Sequence, residues 1–176
     1  MPYAVTHFLI PAILVALFRD FFANKKNFSL HYILIAGLGG LLMDCDYILY
    51  YLFRTSGMNF PSHRIFFHNL FFVLIFFILW LIFLNVKFRP LEKHKLKLST
   101  IFFIVGFAGL THIFLDWCLI GQVLFFYPVS NLSFGLNLLK ILPLEIQNSI
   151  IPIIDAVLLA GWMIYLELRH KISDYI

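Results

Sequence analysis

Residues 66 to 86 read FFHNLFFVLIFFILWLIFLNV, twenty-one positions without one formal charge. As a helix this run is about 30 Å long, the thickness of the hydrocarbon core of a bilayer, and a helix satisfies its own backbone polar groups there. The rest of the chain agrees. Of its 176 residues 62% are hydrophobic and 12% charged, at a mean hydropathy of +0.93, whereas soluble domains carry about 25% charged residues. The expectation is an all-α, polytopic membrane bundle.

Five candidate spans are readable: 3–18, 30–53, 66–86, 100–120 and 149–168. The first is short and ends at Arg19-Asp20. No positive segment precedes it and no small-residue cleavage site follows, so it reads as a span and not as a cleaved signal. No internal repeat, low-complexity tract or linker divides the chain, which is expected to form a single domain over residues 1–176. Cys45 and Cys118 both fall within spans. They imply no disulfide framework and read as small apolar fillers, although a thiolate ligand at Cys45, between two aspartates, is an alternative.

The basic residues give an orientation. Arg19, Lys25 and Lys26 follow the first span, Lys87, Arg89, Lys93, Lys95 and Lys97 follow the third, and Arg169 and Lys171 follow the fifth. With five crossings these ten of the 13 Lys and Arg share one side, leaving Arg54, Arg64 and Lys140 on the other. The excess of Lys and Arg marks the cytoplasmic side, so the N-terminus is expected outside and the C-terminus inside. The pI of 9.1 then reflects loops facing anionic head groups, and no nucleic-acid partner is expected.

Ionisable groups inside a bilayer cost at least about 2.5–3.5 kcal/mol each at the centre, so their presence asks for a reason. His7, Asp44, Asp46, His68, His112 and Asp116 all fall in or beside spans, and His63 and Arg64 lie in the loop before His68. The topology drawn from Lys and Arg alone places all of them in the outer part of the membrane, while His31, His94 and His170 fall on the cytoplasmic side. Imidazoles and carboxylates gathered at one depth suit zinc or a similar divalent metal. His112 and Asp116 are four apart, one turn on a single helix face. Asp44 and Asp46 are about 200° apart on a regular helix, so both face inward only if that helix is irregular. Gly37, Gly39 and Gly40 just before them favour distortion or close packing.

The candidate metal ligands are therefore His7, Asp44, Asp46, His63, His68, His112 and Asp116, holding one or two divalent ions, with zinc the first choice. Arg64 and Asp46 are the candidate catalytic groups, Arg64 as a grip on a phosphate or carboxylate. Its alternative is a snorkelling interfacial arginine. Asp155, in the fifth span, and Asn69, beside His68, are expected to support the ligands by hydrogen bonds. The long segment 121–148, rich in Phe and Leu, is expected to lie in the interface as a partial lid.

The ordered stretches THF (6–8), DCDY (44–47), HRIFFHN (63–69), THIFLDW (111–117) and FYPVS (126–130) resemble the YdjM-like family. That family is described as inner-membrane-associated metal-dependent hydrolases and as LexA-binding. The family's His-Arg-Gly-x-Thr-His-Ser is looser here, with Ile65 for the Gly, Phe67 for the Thr and Asn69 for the Ser. The order His, Asp, His, His-x(3)-Asp is also similar to the zinc-dependent phospholipase C and single-strand nuclease group. The later ligands of that group have no counterpart after Asp116, so a three-metal site is not expected.

Together these readings imply a multi-pass enzyme of the cytoplasmic (inner) membrane whose site faces the extracytoplasmic side. The expected reaction is hydrolysis of a lipid or polyprenyl phosphoester, since a bound divalent ion brings the pKa of its water towards 7 and supplies hydroxide at neutral pH. Alternatives are a lipid amidase or esterase using the same ligands, an ion or proton transporter, and a regulatory membrane protein with a protein partner. A transporter would carry polar groups through both halves of the bundle, and the cytoplasmic half here is almost wholly apolar.

Overall fold

Long apolar runs become helices, and polar residues at their ends decide where each helix stops. The computed structural model describes residues 4–23, 28–57, 65–119 and 121–171. Among them lie α1 (Ala4–Phe21), α2 (His31–Leu42), α3 (Cys45–Thr55), α4 (Leu70–Ile82), α5 (Arg89–Glu92), α6 (Leu98–Cys118) and α7 (Leu144–His170), with a single 3-10 turn at Leu138–Ile141. The only sheet-like pairing among the described residues is an isolated bridge, Val123 to Phe134.

Three helices, α1, α6 and α7, are long and apolar enough to cross a membrane, and α2 with α3 makes a fourth if the pair, bent by 42°, is one broken span. The run 66–86 departs from expectation. Only 13 of its residues are helical, about 20 Å and short of a full crossing. Asn69 is the reason at one end. Its backbone is extended (φ −136°, ψ 160°) and its side chain accepts from the Phe72 N–H at 2.9 Å, an N-cap that stops the helix from reaching back over His68. The last helix is longer than its expected span, beginning at Leu144.

The bundle is built around α6. Helices α1, α2 and α4 pack on it, and small residues allow the approach. A methyl group at Gly40 would run into the His7 carbonyl and stand 2.9 Å from Pro11 Cγ. One at Gly109 would stand 2.8 Å from the Met43 side chain and 3.1 Å from that of Val73. Two apolar clusters result. Val15, Tyr32, Ala36, Leu96 and Ile104 fill the end near Lys97, and Met43, Val73, Ile113 and Val123 fill the other.

Helix α7 leans on α1 through polar contacts at two levels. Near one end Thr6 donates to Asp155. Near the other, the buried Asp20 carboxylate receives Tyr165 at 2.6 Å, Arg19 at 3.0 Å, His170 at 3.3 Å and Arg169 at 3.5 Å. Most of the remaining α7 surface is exposed and apolar, as suits a helix bathed in lipid.

The segment after α6 is folded down onto the bundle. Val123 is fully buried, Leu70 donates its N–H to the Phe125 carbonyl at 3.0 Å, and Leu136 donates to Trp117 at 2.8 Å. It covers the ends of α4 and α6 with Phe125 and Phe134 facing an apolar cavity of about 580 Å³ against Leu110, Phe114 and Trp117.

Candidate metal centre

Four segments meet at one point. His7 comes from α1, Asp44 and Asp46 from the α2–α3 break, His68 from the extended stretch before α4, and His112 and Asp116 from α6. At the break, i to i+3 bonds replace the normal ladder: Asp44 donates to Leu41 and Tyr47 donates to Asp44, each at 3.0 Å. The tightened turn alters the angle between the two aspartates, and both then meet His68. Its Nε2 stands 3.4 Å from Asp44 Oδ1 and its Nδ1 3.3 Å from Asp46 Oδ2. His112 and Asp116 share a face of α6, with Nε2 and Oδ2 3.8 Å apart.

The remaining distances complete the cluster. His68 Nε2 and His112 Nε2 are 3.0 Å apart. His7 Nε2 is 3.5 Å from Asp116 Oδ1, and its ring stacks on that of His112 with centroids 3.8 Å apart. Asp116 Oδ2 is 3.7 Å from His68 Nε2, and Asp44 Oδ1 is 3.6 Å from His112 Nε2. His7, Asp46, His68, His112 and Asp116 are all buried to within 1%. Asp44 is the exception, with 28% of its side chain exposed, so the cluster opens at Asp44.

The tautomer of His112 follows from its partner. His112 Nδ1 lies 2.6 Å from the Gly40 carbonyl. A carbonyl only accepts, so Nδ1 carries the hydrogen and a neutral His112 directs the lone pair of Nε2 into the cluster. His68 has a carboxylate on each ring nitrogen, Asp46 Oδ2 3.3 Å from Nδ1 and Asp44 Oδ1 3.4 Å from Nε2. The lone pair of His112 Nε2 faces His68 Nε2 across 3.0 Å, beside the carboxylates of Asp44 and Asp116. Neither nitrogen of the buried His7 has a hydrogen bond among the described residues.

These residues fit a metal ion. Ligand atoms of His68, His112 and Asp116 all lie within 4.8 Å of one another, as do those of His7, Asp44 and His112. Tetrahedral ligands at zinc-to-nitrogen distances near 2.05 Å stand about 3.4 Å apart, close to the separations seen here. An imidazole oriented by a carboxylate or a backbone carbonyl on its other nitrogen is the usual arrangement of a metal-binding histidine. His68 has the first and His112 the second.

His63 and Arg64 fall outside the described residues. Asp155 accepts from Thr6, the neighbour of His7, and not from a ligand histidine. Asn69 caps α4 and donates to Phe66 at 2.5 Å and Ile65 at 3.3 Å, which fixes the backbone on either side of His68. Cys45 turns its Sγ back to the Leu41 carbonyl at 4.0 Å. His31 and His94 contact each other, centroids 5.5 Å apart, and take no part in the cluster.

The sequence profile of the YdjM inner membrane protein family matches residues 1–171. The chain belongs to that family. It is therefore an inner-membrane protein, in keeping with its apolar helices. A search of curated proteins and a search of solved structures find no match.

Sequence reasoning missed two groups that shape the site. The Gly40 carbonyl, partner of His112, carries no side-chain signal, although the Gly39-Gly40 pair marks a helix surface open to contact. Thr6 was visible only as the residue before His7, and its pairing with Asp155 across 149 positions has no local signature.

Proposed function

We propose that this protein is a metal-dependent hydrolase of the inner membrane that cleaves a lipid or polyprenyl phosphoester at the extracytoplasmic face. Supporting this reading is one observation above the others. The Nε2 atoms of His68 and His112 converge at 3.0 Å beside Asp116 and Asp44, in helices that are mostly apolar.

In this reading His7, His68, His112, Asp44 and Asp116 hold a divalent ion, zinc by the nature of the donors. The two ligand groups share His112, which has only Nε2 to offer, so they describe one ion position and not two. The bound ion would supply Lewis acidity and an activated water. Asp46, behind His68, positions that imidazole by its contact with Nδ1. Asp44, the member with exposure, stands where substrate would arrive, and Arg64 would grip its phosphate. The segment after α6 shelters one side of the bundle as a partial lid. Five crossings with the N-terminus outside, α4 being the shortest of them, would set the cluster in the outer leaflet. A lipid there keeps its head group in water and its tails between helices.

The test is elemental analysis of chain purified without chelators, followed by incubation with a lipid panel. One zinc per chain and release of phosphate or a phosphorylated head group are expected. A metal-free protein rejects the centre. Acyl-chain release with phosphoesters untouched replaces the phosphoesterase with a lipid amidase or esterase.

A further inference from the structure

At the end of α6 remote from the metal cluster lies a second cavity, of about 860 Å³, lined by the apolar Leu84, Val86 and Phe88 and by Lys87, Lys95 and Lys97, with Glu92 and Ser99. Ser99 and Asp116 are seventeen residues apart on α6, about 25 Å, so this cavity belongs to the opposite membrane face. We infer that it is a binding site for the phosphate head group of an anionic phospholipid in the leaflet opposite the metal cluster.

Four observations lead there. The lining charge is unbalanced, three lysines against one glutamate. Lys95 adopts a left-handed backbone (φ 56°) uncommon for a side-chain-bearing residue, and the turn is held by Lys95 N–H to Glu92 and Leu96 N–H to Leu91, each at 3.0 Å. The strained residue is thus fixed at the cavity wall. Ser99 is nine-tenths buried, lines the cavity and makes no side-chain hydrogen bond among the described residues. Finally α6 begins here without a side-chain cap, so its first amides add donors and the positive end of a long helix dipole.

The apolar wall selects lipid over a soluble anion. Leu84, Val86 and Phe88 are 51%, 46% and 50% exposed, and they continue the exposed apolar surface of α4 at Leu81 and Ile82. A head group among the lysines would thus run its acyl chains down α4 without leaving hydrocarbon. Basic pockets beside helices at the cytoplasmic interface suit such head groups.

The experiment uses the full chain in nanodiscs of mixed phosphatidylglycerol and phosphatidylcholine, with retained lipid read by native mass spectrometry after detergent transfer. Wild type should retain phosphatidylglycerol about tenfold over phosphatidylcholine. The triple variant Lys87→Gln, Lys95→Gln, Lys97→Gln should lose that preference, Ser99→Ala should weaken it, and the corresponding triple Lys→Arg variant should keep it. Lys140→Gln with Lys171→Gln, outside the cavity, should leave it unchanged. An unaltered preference in the triple Gln variant overturns the site, and so does its loss in the Lys140 and Lys171 control. Displacement of the lipid by millimolar inorganic phosphate overturns the lipid assignment in favour of a soluble anion. Should the Gln variant fail to fold, wild type without preference still rejects the proposal, and retention in the Arg variant with loss in Ser99→Ala still supports it.

Discussion

The Gly40 carbonyl accepts a hydrogen bond from His112 Nδ1 at 2.6 Å, while the Cα of the same glycine lies against the backbone of His7. One residue of α2 therefore sets the tautomer of one candidate ligand and the position of another. Gly40→Ala should act on both, because the added methyl meets backbone that cannot step aside. Overpacking of this kind costs about 1–3 kcal/mol, and prying α1 from α2 should carry His7 away from Asp116. Loss of bound metal with a lowered Tm is expected, whereas Gly161→Ala, where a methyl meets nothing within 4 Å, should change neither. Retained metal in Gly40→Ala would show that the helix spacing is not what holds the centre.

Removing a ligand differs from removing a neighbour. His112→Ala takes away the one nitrogen common to both ligand groups, so metal content should fall to background. His94→Ala removes an equally aromatic histidine, whose ring lies 5.5 Å from that of His31 and outside both ligand groups, and should leave stoichiometry at the wild-type value. Elemental analysis of the two variants side by side decides the matter. Equal losses would point to general misfolding and not to coordination.

Asp46 offers a graded test. It is buried and meets His68 on Nδ1, the nitrogen away from His112. Asp46→Asn keeps the shape but replaces the anion that orients and polarises the imidazole. Mutating such supporting partners typically costs about 10–100-fold in metal affinity, so competition with a chromophoric chelator should show weaker but measurable binding. Asp116→Asn, which alters a group beside His7, His68 and His112 together, should do more harm. If Asp46→Asn abolishes binding outright, Asp46 is itself a ligand.

The sequence made the cluster legible because its members are costly in hydrocarbon. Each of His7, Asp44, Asp46, His68, His112 and Asp116 stands out against an apolar background, and the Lys and Arg pattern, taken with five crossings, put them at one expected depth. The irregular helix at Asp44 and Asp46 was likewise readable from their spacing. What escaped was set by contacts between distant segments. The run 66–86 looks like a complete span because it is apolar and uncharged throughout, yet the Asn69 cap and the pull of His68 into the cluster shorten it at its N-terminal end. The buried Asp20 group also went unseen, since its partners Tyr165, Arg169 and His170 lie some 145 to 150 positions away.

The Thr6 to Asp155 bond ties α7 to α1 one residue from His7. Interhelical hydrogen bonds in membranes contribute about 0.6 kcal/mol on average and up to about 1.7. Thr6→Val should therefore lower stability by about 1 kcal/mol and weaken metal binding, while Thr6→Ser keeps the hydroxyl and should restore both. Asp20→Asn, at the other end of the same helix pair, should lower Tm without changing metal affinity. Equal effects of the two on affinity would mean that α7 as a whole, not the Thr6 contact, supports the centre.

The orientation is open to a direct measurement. Lys93 and Ser56 are both exposed. They lie at opposite ends of the bundle, because Tyr32 near the start of α2 accepts from the Lys97 N–H at 2.7 Å, whereas α3 leads from the metal cluster out to Thr55. In a background with Cys45 and Cys118 replaced by Ala, single cysteines at positions 93 and 56 therefore report the two membrane faces whichever way the chain is inserted. Ten of the 13 Lys and Arg fall on the side of Lys93 if five crossings are made, and such an excess retains that side in the cytoplasm. An impermeant maleimide applied to intact spheroplasts should label Ser56→Cys and spare Lys93→Cys until the membrane is opened. Reversed labelling would put the metal cluster towards the cytoplasm, and the proposed extracytoplasmic substrate would have to be abandoned with it.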